Sequence, residues 1–577
     1  MDNKEKTGYP SIDKPWLKYY TQEQIKETIP PCRIYDYLWM ENKDYLDDIA
    51  LNYYDREITY GQVFDNIEQT AKAFLGIGIT EGDIVPVISV TIPETIYALY
   101  ALNRIGAVAN MIDPRTSVQG IREYILEVDA KFVIVIDAVC KKIMEAVDNT
   151  SVGQVIIMSP SDSLPLVKKL LFKLTKRGDV GNEEKIITWS DFLSYGKDRE
   201  VIDAKFRSSN CAVIVHTGGT TGMPKGVMLS NENFNEMVFS FANNGLSFDR
   251  GKVLLSIMPP FIAYGIVNGI HVVLCRGMQI VLVPQFDPEQ MDNLVLKYRP
   301  SHMLATPTHY DTLLYSKKIK ENMDLSFIDV AGIGGDGLSE KNETRLKAFF
   351  SEHNCRHAVL KGYGMTEVSA AACATRPEQN ALGSVGLPFV KVIISAFKQG
   401  TDKELKYGET GELCIFSPST MVGYYGNLEE TQKILRTHPD GRKWIHTGDL
   451  GYVDEDGNVF VIGRMKRMIV RFDGFKVFPT MIETVIRQCD DIKDCCAVGT
   501  DDVIHSQGQL PVVFAVLKLD MKKQVDEVVD ELKGLCEAEL PEYAQPAEIR
   551  FIPDMPVTSI GKVDYRKLEE MANNKGI

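Results

Sequence analysis

The sequence predicts an α/β protein in two unequal parts, a large N-terminal domain of helix-covered β-sheets followed by a small α+β domain. Three observations predict it. Short apolar runs alternate with helical periodicity over most of the chain, the C-terminal part changes to a strand-rich pattern with its own apolar set, and 577 residues is too long for a single core.

The alternation begins near residue 56. "ITYGQVFDNIEQTAKAFLGIGI" places Val63, Ile67, Ala71 and Phe74 on one helical face, with Gly76 and Gly78 as the stop. "GDIVPVISV" follows as a short buried strand. "PETIYALYALNRIGAVANMI" starts a helix at Pro93 and returns to a strand. "FVIVI", "VLLSIMP" and "QIVLVP" repeat the β-α-β rhythm, which implies a parallel sheet covered by helices. Further on, "GNVFVIGRMKRMIVRFDGFKVF" reads as strands with turns at Asp456-Gly457 and Asp473-Gly474. "PTMIETVIRQC" and "KKQVDEVVDELKGLCEAEL" read as amphipathic helices around a strand pair ending in "LPVVFAVLKL". The second helix aligns Val525, Val528, Val529, Leu532, Leu535 and Cys536. A boundary near Lys466 divides the chain into domains 1–465 and 466–577.

Composition narrows the function. A net charge of −15 argues against a nucleic-acid surface, so an anionic ligand needs a local cluster of Lys and Arg. The eleven cysteines are scattered without a C-x-x-C pair, and Cys489, Cys495 and Cys496 have poor metal spacing, which fits reduced thiols in a reducing compartment. The N-terminal "MDNKEKTGYPSIDKPW" lacks the apolar core of a signal peptide, and no run reaches the ~18 apolar residues of a membrane span. A cytoplasmic location is expected. "LPLVKKLLFKLTKR", residues 164–177, reads as an ordinary amphipathic surface helix, with weak contact to an anionic membrane surface as the alternative.

"HTGGTTGMPKGV" at 216–227 follows the apolar run "CAVIV". Glycines let backbone N–H groups approach phosphate oxygens, hydroxyls add donors, and one lysine neutralises shared charge. The pattern is not the GxxxxGK[ST] loop of nucleoside triphosphatases, because Met-Pro precedes Lys225 and Gly226 follows it. "TGGTTGMPKG" instead resembles the signature loop of the adenylate-forming superfamily: acyl-CoA synthetases, adenylation domains of peptide synthetases and firefly-type luciferases. "GYGMTE" at 362–367, "GELCIFSPSTMVGYYGN" at 411–427, "HTGDLGYVDEDGNVFVIGRMKRMI" and "PVTSIGKVDYRKL" resemble further segments of that family, in its order.

The resemblance implies a small C-terminal domain that is mobile, and a two-step reaction. A carboxylate attacks the α-phosphate of ATP to give acyl-AMP and pyrophosphate, and a thiol then displaces AMP. It assigns Thr217, Gly218, Gly219, Thr220, Thr221, Gly222 and Lys225 to the β- and γ-phosphates. Tyr363, with Gly364 and Met365 beside it, stacks on adenine; Thr366 contacts phosphate, and Glu367 holds Mg²⁺. Gly335 and Asp336 flank the nucleotide. Asp449 accepts from both ribose hydroxyls, and Arg464 reaches the ribose or phosphate. Lys562 bridges the carboxylate and the α-phosphate, and Lys466 is the hinge. Gly474 and Lys476 serve the thiol step.

Two departures from the family stand out: Ile262 where a histidine is frequent, and Asp473 where many relatives carry a lysine. The acyl pocket is expected from Phe261, Tyr264, Gly265, Ile333, Val368 and the small residues Ala370 to Ala372. Asp329 either lies where amino-acid-activating relatives place an aspartate or starts a strand. An apolar lining suits a hydrophobic carboxylic acid, a fatty acid before others. The expected co-substrates are ATP and coenzyme A with Mg²⁺. A ligase loading a carrier protein is the alternative, and a non-catalytic nucleotide-binding regulator is the alternative of another class.

Overall fold

The computed structural model describes residues 6–165, 168, 184–217, 225–321, 323–355, 359–473, 475–505, 507–518, 521, 523–557 and 563–574. Most of the basic 164–177 stretch, the glycine loop from 218 to 224, Gly474 and Lys562 lie outside them.

The alternating pattern folds into two large sheets. In one, the parallel strands Leu51 belongs to, Gln279–Leu282, Val253–Ser256, His302–Ala305, Val330–Ile333 and Val359–Tyr363 lie side by side. The other is centred on Ile84–Ile88, Val108–Ile112, Phe132–Ile136 and Cys211–His216, again parallel. The buried strands read as continuous apolar runs because both faces of a parallel sheet are covered. A third, antiparallel sheet pairs Ile393–Phe397, Gly411–Phe416 and Lys443–Val453, with Val459–Arg464 along its long strand.

The helix Tyr60–Ile77 shows how sequence sets position. Thr59 and Gln62 close a capping box at its start, and Val63, Phe64, Ile67, Ala71 and Phe74 are buried along one stripe. Each of the larger side chains, Val63, Phe64, Ile67 and Phe74, contributes roughly 1.5–3 kcal/mol by leaving water. Gly78, at φ +97°, ends the helix. Gly76 does not: it stays helical, and a Cβ there would sit 2.2 Å from the Tyr195 carbonyl oxygen. That glycine is required by close packing of the segment after the helix Trp189–Ser194, a contact no local pattern reveals.

After Arg464 the chain makes the 3₁₀ turn Met465–Arg467, in which Lys466 is exposed, and enters the small α+β unit. There Ile492–Asp501 and Gln509–Leu517 pair antiparallel, and Glu548–Phe551 adds a parallel third strand that the sequence pattern did not reveal. Helices Pro479–Ile486 and Val525–Glu539 bury Ile482, Ile486, Val528 and Leu532 against Cys495, Ala497, Val513 and Ala515. The helix Tyr565–Asn573 packs Leu568 on Cys496, Val498, Val512 and Phe514. The adjacent Cys495 and Cys496 therefore face opposite sides of the sheet. Val525, aligned by sequence with the buried stripe, is exposed at the helix start. The two parts touch where Lys341 Nζ donates to the Gln488 carbonyl at 2.8 Å and to Asp490 at 2.9 Å. No helix among the described residues is long and apolar enough to cross a membrane.

Candidate active site

The ends of the parallel strands deliver the chemistry-bearing residues. Tyr363 is the last residue of Val359–Tyr363, and the chain then doubles back through the 3₁₀ turn Thr366–Val368. The turn is tight. Ala372 N–H donates to the Tyr363 carbonyl at 2.9 Å, and Ser369 and Ala370 take left-handed φ of 58° and 88°. A Cβ at Gly364 would lie 2.2 Å from the Ala370 carbonyl oxygen, so only glycine allows this fold-back.

Asp449, nearly fully buried on the strand Lys443–Val453, is the centre of one polar group. Arg464 Nε lies 2.7 Å from its Oδ1, and the Tyr363 hydroxyl donates to its Oδ2 at 2.6 Å. The backbone N–H of Asp449 donates to Thr447 Oγ1 at 3.0 Å, and Arg464 Nη1 donates to the Thr447 carbonyl at 3.2 Å. Strand pairing places Asp449 opposite Arg464 in register. The structure thus joins Tyr363, Asp449 and Arg464, three of the residues singled out by sequence.

A second group surrounds Glu367. Its carboxylate, inside the protein, accepts from the Tyr424 hydroxyl at 2.7 Å. Burial pushes its carboxyl above the usual range, opposed by the Tyr424 hydrogen bond and by the charges of Arg464 and Lys225. Lys225 Nζ stands 4.9 Å from the centre of the Tyr424 ring and pairs with Glu430. Its backbone is tied to the other end of the glycine loop, because Thr217 N–H donates to the Lys225 carbonyl at 3.0 Å and Lys225 N–H to Thr217 Oγ1 at 3.2 Å. Gly423–Tyr424 forms a short strand beside Gly226–Ser230, which fixes Tyr424 next to Lys225.

The expected acyl-pocket residues gather where two apolar cores meet. Phe261, Val368, Tyr264 and Ala370 belong to or pack on one cluster, and Ile333 lies in the other, which Tyr264 also touches. Gly334 would place a Cβ 3.5 Å from the Tyr264 hydroxyl, and Gly265 is held against Pro259, whose oxygen would be 1.9 Å from a Cβ. Ile262 packs on both clusters and adds an apolar side chain there. Asp329 starts the strand region Val330–Ile333 and pairs with Lys252 at 2.5 Å, so it is a structural ion pair.

On the far side of Arg464 stands the small unit. Tyr565, three residues after Lys562, feels Asp336, and Arg464 feels Tyr565. Arg467 covers the Tyr565 ring at 3.8 Å. Val557 and Val563 pair as an isolated bridge. Gly335, at φ +82°, and Asp336 follow the strand Val330–Ile333 on the opposing side. Lys476 is exposed in the short strand Lys476–Val477, and Asp473 is paired with Arg471 at 3.0 Å. Tyr424, Glu430 and Thr447 had no assigned role from sequence, although Tyr424 sits inside the quoted "VGYYGN" and Thr447 inside "HTGD".

A large α/β body, a small α+β unit following Arg464, and a polar wall of Tyr363, Asp449, Arg464 and Glu367 together define an adenylate-forming protein. The chain belongs to the AMP-binding enzyme family: residues 38–425 match the AMP-binding enzyme domain and residues 481–562 the AMP-binding enzyme C-terminal domain. It is 26% identical over 575 residues to a long-chain-fatty-acid–CoA ligase of Bacillus subtilis, with 98% of this chain and 99% of the relative covered. It is 27% identical to a probable 4-coumarate–CoA ligase of Dictyostelium discoideum, covering 88% and 89%. In fold it resembles the anthranilate CoA ligase AuaEII bound to anthranoyl-AMP, with TM-score 0.81, 20% identity and coverage of 94% and 98%. ATP-bound MatB from Rhodopseudomonas palustris gives TM-score 0.79 at 21% identity, covering 94% and 99%.

Proposed function

We propose that this protein is a cytoplasmic ATP-dependent acid–thiol ligase that converts a hydrophobic carboxylic acid, a fatty acid before others, into its coenzyme A thioester through an acyl-AMP. The observation that carries the reading is the paired group Tyr363–Asp449–Arg464 next to Glu367 and Lys225. It offers a flat ring, a two-oxygen acceptor and two cations, Arg464 and Lys225, that both act on the Glu367 carboxyl. The apolar junction around Phe261, Tyr264, Ile333, Val368 and Ala370 supports an apolar acid, as does a relative named for long-chain fatty acids. Eleven free cysteines, all buried except the half-buried Cys32 and Cys211, fit a reducing compartment.

In this reading the chain supplies orientation and charge. Thr217, Gly218, Gly219, Thr220, Thr221, Gly222 and Lys225 hold the terminal phosphates. Thr366 touches phosphate, Gly335 and Asp336 border the nucleotide, and Asp449 takes the ribose. Glu367 fits one magnesium ligand, since Tyr424 engages only one of its oxygens and its burial is relieved by a cation; the metal would draw charge from the phosphates when bound. Lys562 meets the carboxylate and the α-phosphate as negative charge builds. Lys466 turns the domain 466–577 against 1–465, and Gly474 and Lys476 border the thiol path.

ATP–pyrophosphate exchange over a panel of carboxylic acids, followed by coenzyme A and carrier-protein assays, tests the reading. Exchange is expected with medium or long fatty acids and thioester formation with coenzyme A. An absence of exchange with every acid refutes it. Lys562→Ala is expected to lower adenylation ~10²–10³-fold, the worth of one aligned electrostatic donor, and to spare thioester formation from supplied acyl-AMP. Lys466→Pro, by fixing φ, is expected to slow the thioester step more than adenylation in single-turnover measurements.

A further inference from the structure

Away from the nucleotide wall, the antiparallel sheet carries a cluster the reaction does not use. His438 Nε2 and His446 Nε2 stand 3.0 Å apart, and Asp402 Oδ1 lies 3.6 Å from His438 Nε2. We propose that Asp402, His438 and His446 form a zinc-binding clip that pins the hairpin between Leu435–Thr437 and Lys443–Val453 to the turn before Gly411–Phe416.

The three donor atoms lie within 4.8 Å of one another. Tetrahedral zinc with nitrogen and oxygen ligands at ~2.0–2.2 Å separates its ligand atoms by roughly 3.3 Å, and 3.0 and 3.6 Å bracket that value. Two imidazoles with a carboxylate favour zinc over magnesium or calcium, which take mainly oxygen. The ring of His446 is already oriented for it. Its Nδ1 stands 2.9 Å from Glu412 Oε2, so the proton sits on Nδ1 and the Nε2 lone pair points at the cluster. His438 needs only a tautomer change, its proton moving from Nε2 to Nδ1. Its ring is held by stacking on Trp444 at 5.5 Å and by an edge contact with Phe397 at 4.8 Å. Asp402 and Glu412 offset the positive field of Arg436, and Asp402 is partly exposed, leaving the fourth position to water.

Two other groupings, one beside this cluster and one in the small unit, are weaker. Cys414 reaches His446 only at Nδ1, 3.5 Å away, the nitrogen Glu412 holds. Among Cys489, Asp491 and Glu531, the ammonium of Lys523 already supplies the cation, 2.6 Å from Glu531 and 3.3 Å from Asp491. The clip also has a path to the nucleotide wall, because Glu412 Oε1 accepts from Gly448 N–H at 3.2 Å, one residue before Asp449.

The test uses the full chain, stripped with a chelator and dialysed against buffered Zn²⁺, with bound metal measured by mass spectrometry and Tm by thermal unfolding. One tightly held zinc ion per chain and a zinc-dependent rise in Tm are expected. Asp402→Asn and His438→Gln are expected to weaken zinc binding at least ~10-fold and to abolish the Tm rise, while their Tm in chelator stays near wild type. Cys414→Ala should retain the metal. The proposal is overturned if the wild-type Tm ignores zinc, if both variants bind zinc as tightly as wild type, or if only Cys414→Ala loses it. None of these outcomes depends on the chain being a ligase.

Discussion

The wall at Asp449 and the rim at Lys225 hold charged groups in opposite ways. Asp449 is enclosed, with a guanidinium on one oxygen, a phenol on the other and its own N–H fixed by Thr447. Lys225 is one-third exposed and rests against a partner, Glu430, that is nearly as exposed. The enclosed group keeps its geometry because every alternative leaves a buried polar atom unpaired. The open pair is screened by water and exchanges partners cheaply. In the proposed function, a nucleotide meets a preset acceptor at the ribose end and a releasable lysine at the phosphate end.

Substitutions can break or sharpen that contrast. The largest expected effect is at the wall. Asp449→Asn removes the charge that Arg464 pairs with and that, in the proposed function, both ribose hydroxyls use, and should lower kcat/KM for ATP ~10²–10³-fold, since hydrogen bonds to charged groups are worth ~1.5–3 kcal/mol each. Steady-state kinetics checks it, and an effect under tenfold would place the ribose elsewhere. Next comes Lys225→Ala, expected to cost roughly 10- to 100-fold in kcat/KM for ATP, the scale of one such bond.

Tyr424→Phe tests the link between the two regions. It deletes the hydroxyl that helps hold the Glu367 carboxyl down, so that carboxyl should rise further. A raised acid protonates at higher pH, and the acidic limb of the adenylation profile should therefore move upward, with little change at alkaline pH. An unmoved limb would show that Glu367 does not titrate in that step. The smallest effect should be Glu430→Gln, which frees the lysine. A few-fold fall in the KM for ATP is expected, opposite in sign to Lys225→Ala, and a rise would mean that Glu430 positions the lysine.

Much of the wall was legible in the sequence, and its partners were not. Tyr363, Asp449, Arg464 and Glu367 stand in short motifs whose residue types announce their chemistry. The side chains that orient them come from far along the chain: Tyr424 is 57 residues from Glu367, and Glu430 is 205 from Lys225. Nothing in "VGYYGN" tells which of two adjacent tyrosines faces a carboxylate. Antiparallel pairing with the strand Gly226–Ser230 is what turns Tyr424 inward. Gly76 reads as a helix stop because glycine is a poor helix former, yet here it is kept for the approach of Tyr195. Asp329 reads from sequence as either a pocket aspartate or a strand start, and the Lys252 ammonium beside it comes from 77 residues away.

By itself, the sequence determined the alternation of strands and helices, the change to a small second unit, and the short segments that resemble the AMP-binding family. Period, capping and glycine placement act over a few residues, so they are written locally. Only the tertiary structure decided which acid meets which base, which glycine answers to a neighbour, and that His438 and His446 face each other across a hairpin. Those outcomes depend on strand register and on burial, and both are properties of the assembled sheets.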